Sequence, residues 1–304
     1  MKIGIIGPGA MGCLFAGYLK EGGLDVTLVD HSEERARGLA DQGISIEGIR
    51  GEHRVKLPVT ADAASVGPVD LVIVCVKAFH TEEALRRHRA LVGEGTVVWS
   101  AQNGKGNDEA MAAVVERDRI VGGSTTLGAN KLGPGQIHHA GEGDTFIGEL
   151  NGGRSARVEQ IAVRLTAAGI KTEVRDDIQR IVWSKLIVNV GINALTAILR
   201  VRNGVLVEHD PSLHLMEAAV SEAVRVAAGQ GLEFDEASIQ DRVKEVARRT
   251  ARNRSSMLQD MLAGGRTEID YINGAVARLG DAPVNQALCD LVRALERTHA
   301  ERQG

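Results

Sequence analysis

Ile3-Gly4-Ile5-Ile6-Gly7-Pro8-Gly9-Ala10-Met11-Gly12 is the stretch on which the fold turns. Ile3 to Ile6 forms a short apolar run, the pattern of a buried strand. The glycines that follow, spaced Gly7-x-Gly9-x-x-Gly12, open a segment with helical periodicity through Leu19. As a bare string this spacing is weak, because glycine-rich turns are common. Its context, directly after a strand and directly before a helix, is that of a dinucleotide-binding turn. In that reading Gly7 permits the tight turn, Gly9 lets the backbone approach a pyrophosphate, and Gly12 lets the helix pack on the strand. The first helical turn, with Ala10 and Met11, offers its N–H groups to the phosphates. The alternative is a structural strand-to-helix turn without a ligand.

Outward from this turn the pattern alternates. Val26 to Val29 reads as a second strand and Glu33 to Gln42 as a helix. Leu71 to Val76 is a continuous apolar run, as expected of a strand buried on both faces. Thr96 to Trp99 and Ile120 to Val121 are further strands, and such alternation predicts a parallel, doubly wound sheet. Gln136 to His138 and Thr145 to Ile147 read as antiparallel additions at the sheet edge, so that His138-His139 belongs to an edge strand. Thr172 to Val174 is the last strand, and Asp176-Asp177 starts a helix. From there the pattern is helical, which places a domain boundary near residue 176 and divides the chain into 1–175 and 176–304.

The length of 304 residues suits two domains. The formal net charge of -4 and the absence of a basic stripe argue against nucleic acid as a partner. Met1-Lys2 runs straight into the first strand, leaving no room for a signal peptide, so a cytoplasmic location is expected. Cys13, Cys75 and Cys289 stand among apolar neighbours without paired spacing, as reduced core residues would. No cluster with metal-ligand spacing is present, and no metal is expected. Ile181 to Leu199 is nearly long enough to span a membrane, but Ser184, Lys185, Asn189 and Asn193 argue against lipid on any face.

Asp30 ends the second strand, 18 positions after Gly12. An acidic residue there accepts hydrogen bonds from the hydroxyls of an adenosine ribose and repels a 2′-phosphate, favouring NAD over NADP. It can equally serve as a helix N-cap together with Ser32, and Arg35 and Arg37 stand near enough in sequence to meet a phosphate. The cofactor preference stays open on these residues. Lys77 and Gln102-Asn103-Gly104 follow predicted strand ends, where ligands collect in open α/β sheets. Each is otherwise an ordinary loop lysine or turn.

Lys185, Asn189 and Asn193 recur every four residues in an apolar helix and so share one face. Buried there, an ammonium and two carboxamides need partners. They either close a polar seam between helices or line a site. A second polar cluster runs from Asn253 through Ser255-Ser256 and Gln259-Asp260 to Thr267-Glu268. In it Glu268 can balance Lys185, while Ser256 and Asn253 can hold a carboxylate.

With these residues in hand, the chain resembles the ketopantoate reductase (2-dehydropantoate 2-reductase) family over essentially its whole length. The resemblance rests on the glycine turn, Val76-Lys77-Ala78, Gln102-Asn103-Gly104, and Trp183-Ser184-Lys185-Leu186 with Asn189 and Asn193. It rests further on Leu195-Thr196-Ala197, Asn203-Gly204, Ser255-Ser256-Met257-Leu258-Gln259-Asp260, and Thr267-Glu268-Ile269-Asp270-Tyr271-Ile272-Asn273-Gly274. The last two strings are the most specific.

The resemblance implies an α/β Rossmann-type N-terminal domain, an all-α C-terminal domain and an active site in the cleft between them. It implies a nicotinamide cofactor, NADP or NAD, delivering hydride to the ketone of ketopantoate to give pantoate on the route to coenzyme A. Lys185 falls on the general acid, and Glu268 on the glutamate that completes the site beside the cofactor. Asn103, Asn189, Asn193, Asn203 and Ser256 fall on substrate-binding positions, with Asn253 their neighbour. Asn103, Lys77 and Ala129 fall on cofactor-contacting positions. Fold-level analogy adds a homodimer through the helical domain. Asp30-His31 stands where the family commonly carries a basic or small residue suited to NADP, and Ala194 replaces a frequent proline. A related NAD-dependent D-2-hydroxyacid dehydrogenase acting on another 2-keto acid shares the same residues. A non-catalytic dinucleotide sensor is the reading from another class, against which the intact Lys185 and Glu268 argue.

Overall fold

The computed structural model describes residues 1–303, with side chains through Thr298. The chain divides into two compact units: Met1–Gln102 with Asn107–Ile181, and Asn103–Gly106 with the chain from Val182 onward.

In the first unit the strands are β1 (Lys2–Ile6), β2 (Asp25–Val29), β3 (Ile44–Gly48), β4 (His53–Val55), β5 (Val59–Thr60) and β6 (Leu71–Val74). They continue with β7 (Val97–Ser100), β8 (Ile120–Thr125), β9 (Gly128–Gly133), β10 (Gln136–Gly141), β11 (Thr145–Glu149) and β12 (Thr172–Val174). Between them lie α1 (Ala10–Glu21), α2 (Glu33–Gln42), α3 (Ala63–Val66), α4 (Thr81–Arg87), α5 (Asn107–Ala112) and α6 (Ala156–Ala167). One sheet runs β12-β11-β8-β7-β6-β1-β2-β5, parallel from β8 to β5. β1 is central, with β2 on one side and β6 on the other, in the register Ile3↔Val26 and Ile3↔Leu71. The chain therefore reverses its winding at the carboxyl end of β1, the place where open α/β sheets take their ligands. All four residues of β6 are fully buried, each apolar side chain contributing about 1.5–3 kcal/mol of transfer free energy. One apolar cluster covers each face of this sheet.

Three expectations need correction. The β6 strand stops at Val74: Cys75 still donates its N–H to Ile6 O at 2.8 Å, but Val76 O is taken by the Gln102 side chain at 2.7 Å and not by a neighbouring strand. Gln136 to His138 does not extend the main sheet. β10 lies inside a second sheet, β4-β3-β10-β9, parallel to β3 and antiparallel to β9. The reason is burial: Ile44, Ile46, Val55 and Ile137 turn one face of this small sheet into the same core as Phe15 and Leu19 of α1. His138-His139 is accordingly internal, not edge. His139 is fully buried, with its Nδ1 2.7 Å from Tyr18 Oη and its Nε2 3.1 Å from Gly141 O. Thr145 to Ile147 does join the main sheet, antiparallel to β8, but β12 pairs outside it and takes the edge.

The second unit is built on α7 (Ile178–Leu199), α8 (Asp210–Gly229), α9 (Glu236–Arg249), α10 (Ser256–Leu262), α11 (Asn273–Leu279) and α12 (Pro283–Gln303). α7 is long and apolar enough to cross a membrane by length and composition, yet 67% of its most apolar window is buried within the fold. Trp183, Leu186, Ile187, Val190 and Leu195 of α7 pack with Met216, Val220 and Val243 in one core.

Candidate functional site

Two sets of side chains emerge, one in each unit. In the first, Gly7 leaves β1 with φ +103°, a conformation L side chains rarely adopt. A Cβ there would stand 2.7 Å from Val76 Cγ1, and one at Gly12 would stand 2.0 Å from Gly7 O. These two glycines hold the turn together. Gly9 differs: its φ of -78° suits any residue, and a Cβ would meet only Cys75 O, at 3.9 Å. It sits at the N-cap of α1 without a side-chain cap, so no capping side chain takes up the N–H groups of the first turn. Oriented donors beside a space that a Cβ would enter fit a dinucleotide pyrophosphate.

Asp30 follows β2 with its side chain fully buried. Its Oδ1 accepts the Ser32 N–H at 3.2 Å and lies 3.0 Å from His31 Nδ1. Its Oδ2 faces Arg35 Nε at 3.1 Å, an ion pair without hydrogen-bond geometry, and has no hydrogen-bond donor. Ser32, not Asp30, caps α2, its Oγ accepting from Arg35 N. Arg37 instead pairs with Glu33 on the helix surface.

Lys77 precedes a short 3-10 turn, Ala78–His80, and is half-buried. Its loop is pinned by Gln102, whose Nε2 donates to Val76 O at 2.7 Å and Thr81 Oγ1 at 2.8 Å. Ala129 lies on β9, which packs on α1, the helix that Ala10 and Met11 open.

In the second unit, Lys185 and Asn189 are half-buried on α7 and Asn193 is buried. Burial pushes the Lys185 ammonium down to about 8, against the opposing pull of the negative Glu268. Glu268 is itself buried, just before the 3-10 turn Ile269–Tyr271. One turn beyond Asn193, Thr196 Oγ1 lies 2.9 Å from Ile192 O and 2.7 Å from Ser255 Oγ. Ser255 caps α10, accepting the Leu258 N–H at 3.0 Å, so that Ser256 becomes the first residue of that helix. Asn203 donates its Nδ2 to Thr250 Oγ1 at 2.9 Å and its N–H to Asn253 O at 3.1 Å, while its buried Oδ1 has no donor. Asn253 is exposed.

Asn103 belongs with this second set. Lys105 N donates to Tyr271 O at 2.8 Å, and Gly104, at φ +85°, lies so close that a Cβ would meet that oxygen at 2.4 Å. The segment is thereby docked on the turn that follows Glu268. The candidates on α7, at 203, 253, 256 and 268, and at 103 are thus linked within one compact unit.

Thr250 escaped the sequence reading, and Thr196 entered it only within the string Leu195-Thr196-Ala197, with no role assigned. Thr196 carried a signal, being polar three residues after Asn193 in an otherwise apolar helix. A polar seam does run behind α7, but Asn273 builds it. Its Nδ2 donates to Val190 O and to Asn285 Oδ1, and Asn285 in turn donates to the buried Glu222. The Lys185 face is not needed for it. A cation that loses its proton near neutral pH, carboxamides around it and a buried carboxylate suit the protonation of a carbonyl oxygen as negative charge develops there.

Comparison with known proteins identifies the family. Residues 3–152 match the family model described as ketopantoate reductase PanE/ApbA, and residues 177–296 match its C-terminal counterpart. The 2-dehydropantoate 2-reductase of Halobacterium salinarum is 42% identical over 98% of this chain and 99% of its own. That of Archaeoglobus fulgidus is 38% identical over 97% and 98%. Among solved structures, the ternary structure of D-mandelate dehydrogenase with NADH and anilino(oxo)acetate aligns with TM-score 0.93 at 29% identity, covering 99% of both chains. A PanE/ApbA family ketopantoate reductase from Ralstonia eutropha aligns with TM-score 0.90 at 28% identity, covering 99% of this chain and 100% of that one.

Proposed function

This chain belongs to the ketopantoate reductase PanE/ApbA family, and we propose that it reduces the 2-keto group of 2-dehydropantoate with a nicotinamide dinucleotide. The observation that carries the reading is Lys185, desolvated until its proton is held at about 8 and opposed by Glu268. A pKa so near working pH suits a group that must both hold and release a proton. Residues 1–175 carry the dinucleotide and residues 176–304 the catalytic groups.

The bound cofactor supplies hydride to C2 of the keto acid. Lys185 meets the ketone oxygen, balances the charge that grows on it, and gives up its proton to form the 2-hydroxyl. Glu268 keeps the ammonium charged until that moment. Asn189, Asn193 and Asn203 orient the keto acid, Ser256 takes its carboxylate with Asn253 beside it, and Asn103 sets the approach of substrate to cofactor. Gly7, Gly9, Ala10, Met11 and Gly12 take the pyrophosphate, with Lys77 and Ala129 flanking.

NADH is the preferred donor. Asp30 keeps an acceptor, Oδ2, buried without a hydrogen-bond donor, and a ribose hydroxyl supplies one. A 2′-phosphate would instead bring negative charge onto a buried carboxylate. The neighbour solved with NADH is consistent with this. The rival substrate reading comes from that same neighbour, a D-mandelate dehydrogenase. Initial rates on 2-dehydropantoate, 2-ketoisovalerate and phenylglyoxylate, each with NADH and NADPH, separate the possibilities. We expect 2-dehydropantoate with NADH to give the highest kcat/KM, and Asp30→Ser to move the preference toward NADPH by about tenfold, on the order of 1.4 kcal/mol. Phenylglyoxylate as the best substrate would transfer the assignment to the D-2-hydroxyacid dehydrogenases.

A further inference from the structure

The carboxylate of Asp270 is held from several sides. Arg293 of α12 reaches its Oδ1 through Nη2 at 2.6 Å and Nε at 2.9 Å, and Arg266 reaches Oδ2 at 3.1 Å. Arg278 of α11 donates to the Asp270 carbonyl at 2.7 Å. Burial raises the Asp270 carboxyl, but the bonds from Arg293 and Arg266 overcome this and leave it below the ordinary range, so it stays ionised. Just ahead of it, the Thr267 N–H donates to Glu296 Oε1 of α12 at 2.7 Å. Glu268 lies between these two anchors, and Tyr271 directly follows the second. Tyr271 O is the acceptor on which Asn103–Gly106 docks through Lys105 N.

We propose that Asp270, clamped by Arg293 and Arg266, is the positioning residue that sets Glu268 and Asn103 relative to each other. It touches neither substrate nor cofactor. It works through the short turn whose two ends bear on Lys185 and on the docked 103–106 segment. This rests on the reductase reading above. The charged group acting on Lys185 is Glu268. Those acting on Asp270 are Arg266 and Arg293, with Asp290 bonded to Arg293 and the Cys289 thiol 3.9 Å away.

The test is kinetics of Asp270→Asn, Arg293→Met and Arg293→Lys with the wild-type chain, on 2-dehydropantoate and saturating NADH across pH 6 to about 10. Asp270→Asn keeps the shape and drops the charge that both arginines seek. Its kcat should fall about tenfold or more, and the alkaline limb of kcat should move to lower pH as Glu268 loses its fixed place beside Lys185. Arg293→Met should show the same two changes, smaller because Arg266 remains, and Arg293→Lys should recover most of both. If Asp270→Asn does not fold, Arg293→Met against Arg293→Lys carries the test alone. Wild-type kcat and an unmoved limb in the folded variants would overturn the proposal, and so would a lower kcat with the limb unmoved, which marks a merely structural loss. A wild-type chain that reduces no 2-keto acid would overturn the reductase reading and this inference with it. Wild-type turnover with unaffected variants would overturn the inference alone.

Discussion

Lys185→Ala should lose about 10²–10⁴-fold in kcat, the usual worth of a positioned general acid, while dinucleotide affinity stays within about twofold. The asymmetry follows from where the side chain sits. Lys185 is on α7 of the helical unit, and the glycine turn and Asp30 belong to the sheet unit. On the proposed mechanism the substitution removes the proton source and the charge that offsets the developing alkoxide. It leaves the first turn of α1 intact. Fluorescence titration of NADH and single-turnover kinetics check the two halves separately. Unchanged turnover would remove Lys185 from the chemistry. Lost NADH binding would mean that the lysine serves the cofactor instead.

Gly9→Val should abolish dinucleotide binding, by about 100-fold or more in Kd, equivalent to roughly 2.7 kcal/mol, in a protein that melts like the wild type. The backbone at Gly9 lies in the extended region and tolerates a side chain, and a Cβ meets only Cys75 O at 3.9 Å. The added methyls therefore enter the space before α1 and not the core. Gly12→Ala is the contrasting control, because its Cβ would stand 2.0 Å from Gly7 O. That overpacking should cost about 1–3 kcal/mol of stability before any question of ligand arises. Melting curves with and without NADH distinguish the two effects. A Gly9→Val chain that still shifts its Tm with NADH would place the pyrophosphate elsewhere.

The contrast between these glycines shows what sequence patterning conveys and what it does not. The β1–turn–α1 unit was legible because its signals are local: an apolar run, a glycine spacing and a helical period that agree with one another. The triplet on α7 was legible for the same reason, since a four-residue interval fixes a common face whatever the surroundings. The second sheet was not. β3, β4 and β9 are short and half polar, and β10 finds its parallel partner β3 far back along the chain. Such pairing depends on the face of α1 that needs covering, which no window of sequence reports. The site shows the same division. That residue 268 is acidic and near Lys185 could be anticipated. That Asn103–Gly106 leaves the sheet unit to dock on Tyr271, or that Asp270 is gripped by Arg293 and Arg266, depends on tertiary contacts alone. Asp30 lies between these cases: its place at the end of β2 was readable, whereas its burial beneath His31 and Arg35 was not.

The pairing of a desolvated Lys185 with Glu268 is the central claim, and the pH dependence of kcat for the wild type and for Glu268→Gln tests it most directly. Lys185 acts in its protonated form, so kcat should fall as pH rises through about 8. Glu268 raises the lysine against the effect of burial, so its neutralisation should carry that limb to lower pH as well as lower the rate. A wild-type kcat that stays level well above pH 8, or a limb that keeps its place in Glu268→Gln, would contradict the account.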